Sequence, residues 1–211
     1  MKKFALITEG ITDYLVLKNI LTNYFKNDIR INQIQPTIDE TDKQTSGGGW
    51  TEVIKYCQNN DLNDILEYND YVVIQIDTDI ASEKPLNLQI HNKKTDEIYH
   101  FMKSTLLDLM PNKFDIQENF IFAIGIHQIE CWLVGLIDNN HSAKDIVNCL
   151  NRLNRAIGKT KKYKIIPPDK KENSKETYHL LSSKLKKQKD IIKYSKKNYG
   201  FEMFIEQLEK I

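Results

Sequence analysis

Tyr71-Val72-Val73-Ile74-Gln75-Ile76-Asp77-Thr78-Asp79 is apolar at nearly every position until it stops on two carboxylates. A β-branched run without polar alternation is the pattern of a parallel strand covered on both faces. Upstream, Lys3 to Thr8 reads as a shorter buried strand, and Ile11 to Phe25 repeats apolar residues at helical spacing through Leu15, Leu17, Ile20, Leu21 and Tyr24. Ile31 to Thr37 can form a second strand. A polar segment, Asp39 to Ser46, then leads into Gly47, Gly48 and Gly49, after which Trp50 to Cys57 returns to helical spacing with Thr51 or Ser46 as an available cap. Downstream, Lys94 to Leu109 reads as a helix, Asn119 to Ile126 as a fourth strand, and Ile129 to Ile137 as a helix that buries Trp132, Leu133 and Leu136. The order βαβαβαβα predicts an α/β fold with a four-stranded parallel sheet, because parallel neighbours need crossovers that cover both faces.

Beyond His141 the strand pattern disappears. Ala143 to Ile157, Tyr178 to Lys189 and Phe201 to Ile211 read as helices, with a Lys-rich stretch from Gly158 to Lys175 between the first two. The expected organisation is an α/β unit over residues 1–140 and a helical, basic C-terminal extension over 141–211. Charge divides at the same place. Residues 1–140 hold 12 Lys+Arg and 21 Asp+Glu, a balance of −9, whereas residues 141–211 hold 18 and 8, a balance of +10. The total of +1 therefore conceals an acidic part beside a basic one, as an anionic cation site beside a polyanion-binding surface would require.

With 211 residues, 40% hydrophobic and 28% charged, the composition is that of a globular α/β protein. Its uncharged apolar runs fall far short of the roughly 20 residues of a membrane helix. Met-Lys-Lys-Phe is followed too soon by Glu9 and Asp13 to make a signal peptide, so no membrane association and a cytoplasmic location are expected. Cys57, Cys131 and Cys149 show no C-x-x-C spacing and read as buried free thiols in a reducing compartment.

Acidic residues fall where strands end. Glu9 follows the first strand in Thr8-Glu9-Gly10-Ile11-Thr12-Asp13, and Asp77 and Asp79 follow the third. The first and third strands are commonly neighbours in doubly wound sheets, and the crevice beyond their carboxyl ends is the usual ligand site. Asp77 and Asp79, two apart on an extended chain, are expected to project to one side and converge with Glu9. Such a group calls for a hard cation, Mg2+ or Mn2+. The plainer alternative is that Glu9 caps a helix and the D-x-D is a turn.

Glu9-Gly10-x-x-Asp13 and Asp77-x-Asp79 in this order resemble the TOPRIM (topoisomerase-primase) domain, over about residues 1–137. His127-Gln128-Ile129-Glu130-Cys131-Trp132-Leu133 is similar to the E-x-W-L stretch of small TOPRIM-like proteins of phage defence related to OLD-type nucleases. The resemblance implies a Rossmannoid TOPRIM-like sheet, a Mg2+-dependent nuclease, and Glu130 as a further metal ligand beside Glu9, Asp77 and Asp79 in the catalytic set. It departs from the family in the long Ile80 to Asp96 connection, and no topoisomerase cleavage domain or primase zinc motif is recognisable. The alternative is a catalytically silent module that docks a partner such as an ATPase. A phosphoaccepting receiver domain wants an acidic pair after the first strand, which Thr8-Glu9-Gly10 does not supply.

Gly47, Gly48 and Gly49 ahead of a helix form a candidate phosphate loop through their backbone amides, or a plain surface loop; no P-loop Lys follows. His127 is read as a packing residue or an orienter of water. Lys159, Lys161, Lys162 and Lys164, with Lys170 and Lys171, place six lysines in 13 residues with Tyr163 among them. Lysines of this density are candidates for neutralising nucleic-acid phosphates, DNA or RNA, against the alternative of a solvated face.

Overall fold

The computed structural model describes residues 1–38, 48–59, 61–111, 117–138, 148–160, 162–168 and 174–211. Four strands, β1 (Lys2–Ile7), β2 (Ile29–Gln35), β3 (Tyr71–Asp77) and β4 (Phe120–Gly125), make one all-parallel sheet in the order β2-β1-β3-β4. The apolar stretch of β3 sits between β1 and β4, with Ile74 opposite Ile7 and Asp77 opposite Gly125. Connectivity reverses direction between β1 and β3, so the topological switch lies at the ends that carry Glu9 and Asp77.

Helices cover both faces. α1 (Ile11–Tyr24) and α5 (Glu130–Ile137) lie on one side with four C-terminal helices: α6 (Cys149–Ile157), α7 (Lys175–Ser182), α8 (Gln188–Ser195) and α9 (Tyr199–Leu208). The other face is closed by α2 (Trp50–Gln58), α3 (Asp61–Tyr68), α4 (Thr95–Leu109) and the connection after β3. Strand alternation divides the two cores: Val73 enters the first, and Val72, Ile74 and Ile76 the second. Trp132 is buried, as its spacing predicts, and stacks on Phe201 at 4.8 Å between ring centroids.

The basic C-terminal part shares the core of the sheet. Leu153, Tyr178, Phe201 and Phe204 lie in one apolar cluster with Phe4, Leu6 and Leu17. α7 packs on α1 and α9 on the edge strand β4. There the Gln207 side chain accepts from the Phe122 N–H at 2.9 Å and donates to its carbonyl at 3.0 Å, which occupies backbone groups that an open edge would leave for another chain. Among the described residues no helix is long and apolar enough to cross a membrane.

Several sequence expectations change. Cys131 and Cys149 are not free thiols: α5 and α6 bring their Cα atoms to 5.0 Å and they form a disulfide, which removes the support that free thiols lent to a reducing compartment. Cys57 is free and buried, and burial pushes its thiol up to about 12. The helix expected over Tyr178 to Lys189 is two helices, α7 and α8. Ser182 and Ser183 donate their hydroxyls back to the carbonyls of Tyr178 and Leu180, and Lys187 is extended. α3 lacks a counterpart in the sequence reading. The α2 helix begins after Gly49 at φ 107° with no side-chain cap hydrogen bond, and Thr51 lies inside it rather than capping it. Gly47, Ser46 and Lys161 lie outside the described residues, as does the start of the helix expected from Ala143.

Candidate functional site

Gln75 is the one polar side chain inside the apolar run of β3, and it is fully buried. Residues 75 and 77 face the same side of a strand, which is where the amide does its work. Its oxygen accepts from the Glu9 N–H at 3.0 Å and its nitrogen donates to Asp77 Oδ1 at 3.0 Å. Glu9 closes the loop, because its Oε1 accepts from the Asp77 N–H at 2.6 Å. The ends of β1 and β3 are thus cross-tied through one glutamine and two carboxylates.

On the same face stands Tyr178, fully buried on α7, whose hydroxyl donates to Glu130 Oε1. Burial, then Glu130, then the more distant charges of Asp13 and Asp77 hold this hydroxyl far above its ordinary value, so it stays protonated and acts as a donor. Asp13, Asp77 and Glu130 are 4%, 4% and 0% exposed, and Glu9 is half-buried at the rim. Gly125 makes the approach of β4 possible: a Cβ there would stand 2.3 Å from Asp77 Oδ1 and 2.9 Å from the Ile129 nitrogen.

Asp79 does not join this group. β3 ends at Asp77 and the chain turns at Thr78, so the same-side projection expected of an extended D-x-D is lost. Thr78 takes the Gly125 carbonyl with its N–H and the His127 N–H on its hydroxyl, and the Asp79 N–H bonds the His127 carbonyl at 3.1 Å. Asp79 is exposed, accepts from Gln128 at 2.8 Å, and lines a cavity of about 530 Å³ with His127, Leu88, His91 and Ile98. His127 itself is in the left-handed region at φ 64°, a backbone cost tolerated where the surroundings fix it. Burial lowers its pKa, and the charge of Asp79 opposes that shift.

Compared with protein families, with curated proteins and with solved structures, the chain matches none. The site therefore rests on its own chemistry. Its donors are oxygen atoms, the right kind for Mg2+ or Mn2+. Their placement is not that of a finished cage: among the described residues no three of His, Cys, Asp and Glu are grouped to hold an ion.

The glycine loop and the lysine stretch fare differently. Gly49 lies beside the site, but its N–H already donates to the Glu9 carbonyl at 2.7 Å, and Gly48 is exposed. Lys159 and Lys162 are exposed, while Lys164 is paired with Glu176 at 2.9 Å. Sequence reasoning missed Gln75 and Tyr178. The polar break in β3 was a usable signal for Gln75; Tyr178, 48 residues beyond Glu130, left none.

Proposed function

We propose that the chain is a TOPRIM-like, Mg2+-dependent nuclease that hydrolyses phosphodiester bonds in DNA or RNA, with a role in phage defence. The observation that carries this reading is that Glu9 and Asp77 are cross-tied at the ends of the adjacent parallel strands β1 and β3, where α/β folds place ligands, with Asp13 and Glu130 at the first turns of α1 and α5 acting on the same Tyr178 hydroxyl as Asp77. Asp77, Glu130 and Glu9 would hold the cation once their side chains drew together around it, and Asp79 would also need the turn at Thr78 to rearrange. Mg2+ or Mn2+, when bound, supplies charge neutralisation for the phosphate and acidifies water. Gln75 orients the Asp77 carboxylate, Tyr178 orients that of Glu130, and Glu9 at the rim is placed to accept a proton.

The burial of Asp77 and Glu130 favours a second reading, in which the carboxylates stay sealed and the fold serves as a silent module that docks a partner such as an ATPase. Incubation of the protein with plasmid, single-stranded DNA and RNA, with Mg2+, with Mn2+ and with EDTA, separates the two. Metal-dependent cleavage that Asp77→Asn abolishes supports the nuclease. Intact substrates under every one of these conditions favour the silent module.

A further inference from the structure

The molecule has a second charged feature, at the end of the sheet from which the strands start. α1 runs back from Glu9 for 14 residues, about 20 Å at 1.5 Å per residue, and ends in a turn in which Lys26 and Asn27 both take left-handed backbone. The turn between α7 and α8 comes alongside, and the two enclose a cleft of about 450 Å³. Its charged lining is Lys26, Lys186, Lys187 and Lys189; the rest is the amides of Asn23, Asn27 and Gln188. Among the described residues no acidic and no apolar side chain lines it. Asp28 and Asp190 flank it in sequence without entering it, and none of the four lysines forms an ion pair among the described residues.

We infer that this cleft binds the phosphate backbone of a nucleic acid and is a docking site separate from the carboxylates. Four ammonium groups gathered with no ion pair among the described residues repel one another, and a polyanion relieves that repulsion while releasing its own counterions. Amide side chains add donors that suit phosphate oxygens. A protein partner fits less well, because protein interfaces deplete lysine at their centres and place apolar or aromatic anchors there, of which this cleft has none among the described residues. With the roughly 20 Å length of α1 between the lysines and the strand ends, they are placed away from the reacting phosphate, so their contribution is to hold the chain. The inference deepens the nuclease reading, on which it rests for the identity of the polyanion. It also moves the main phosphate contact away from Lys164, whose charge Glu176 already meets.

The test is binding, read in EDTA so that cleavage plays no part. Fluorescence anisotropy of labelled single-stranded DNA and of RNA is followed across a salt series for the wild type, for the quadruple Lys26, Lys186, Lys187 and Lys189→Ser variant, and for the matching Lys→Arg variant. The Ser variant is expected to lose about tenfold or more in affinity at low salt and to flatten the log-log slope by roughly 3, at about 0.7 per lysine on a single strand. The Arg variant should keep both. A wild-type slope in the Ser variant overturns the inference, as does failure of the wild type to bind either nucleic acid. Unchanged nucleic-acid binding with lost binding to polyglutamate also overturns it, in favour of an acidic protein. If the slope changes as expected but no condition yields cleavage, the nuclease reading alone fails.

Discussion

Where the strands finish, Asp77 and Glu130 are buried and each carboxylate is held by a named donor, Gln75 or Tyr178; where they start, Lys26, Lys186, Lys187 and Lys189 are exposed and form no ion pair among the described residues. One end keeps like charges together by hydrogen bonds inside the fold, the other by the route of two surface turns. The difference separates what each end costs and what each can do. A buried carboxylate loses solvation that its donors must replace, so its geometry is fixed and suited to chemistry. An exposed lysine keeps its water and its freedom, which suits non-specific attraction.

The strongest test of this contrast is Asp77→Asn. The amide keeps the Oδ1 that accepts from Gln75 but loses the charge, so cleavage should fall by about 100-fold or more, the scale of losing a positioned charged group. Stability should hold or rise slightly, because Asp13 and Glu130 lose a like-charged neighbour. A large fall in melting temperature with activity retained would break the comparison, since it would make Asp77 a structural residue.

Tyr178→Phe and Gly125→Ala act on stability first. Phe leaves Glu130 without the hydroxyl that donates to it in the interior, a loss of about 1–3 kcal/mol. In a chain of this size that lowers the melting temperature by about 2–4 °C per kcal/mol. Alanine at 125 puts a methyl 2.3 Å from Asp77 Oδ1, so overpacking costs about 1–3 kcal/mol and displaces the carboxylate as well. Calorimetry on both variants checks this, and an unchanged melting temperature in either would show that the buried end is looser than its hydrogen bonds imply.

How much of this was legible in the sequence follows the same division. β3 and β1 declared themselves because a strand covered on both faces must be apolar, and Glu9, Asp77 and Glu130 were conspicuous as charges at the points where that constraint lapses. The parting of Asp77 from Asp79 was legible only as the plainer alternative, a turn at the D-x-D, since what decides it is the bonding of Thr78 and Asp79 to Gly125 and His127 beyond β4. Tyr178, the Cys131–Cys149 bridge and the lysine cleft all join segments distant in the chain, and local periodicity carries no signal for such meetings. The dense lysines near 160 drew attention by composition, whereas Lys26 reaches its partners only through the packing of α1 against α7 and α8.

A smaller effect tests the rim. Burial lowers the pKa of His127, so the unfolded chain binds its proton more readily than the folded one. The stability this neutral imidazole contributes is complete above the unfolded value of about 6.5 and declines as pH falls below it towards the folded value. His127→Asn retains a side chain that tolerates the left-handed backbone and removes the titration. The wild type should therefore lose more stability than the variant between about pH 7.5 and 5.5. Parallel curves in thermal denaturation would place the imidazole in water.

The smallest expected effect belongs to the basic end. Replacing Lys26, Lys186, Lys187 and Lys189 with Ser removes no buried contact, and exposed substitutions of this kind usually stay within about 0.5 kcal/mol each. What change there is should be a gain, because four like charges around one cleft repel, and it should fade as salt shortens the range of that repulsion to about 8 Å at physiological ionic strength. A melting temperature that rises slightly at low salt and matches the wild type at high salt is the expected pattern. A clear loss at every ionic strength would mean that the lysine stems pack the two turns together. The cleft would then be a structural joint, and the two ends of the sheet would differ in sign alone.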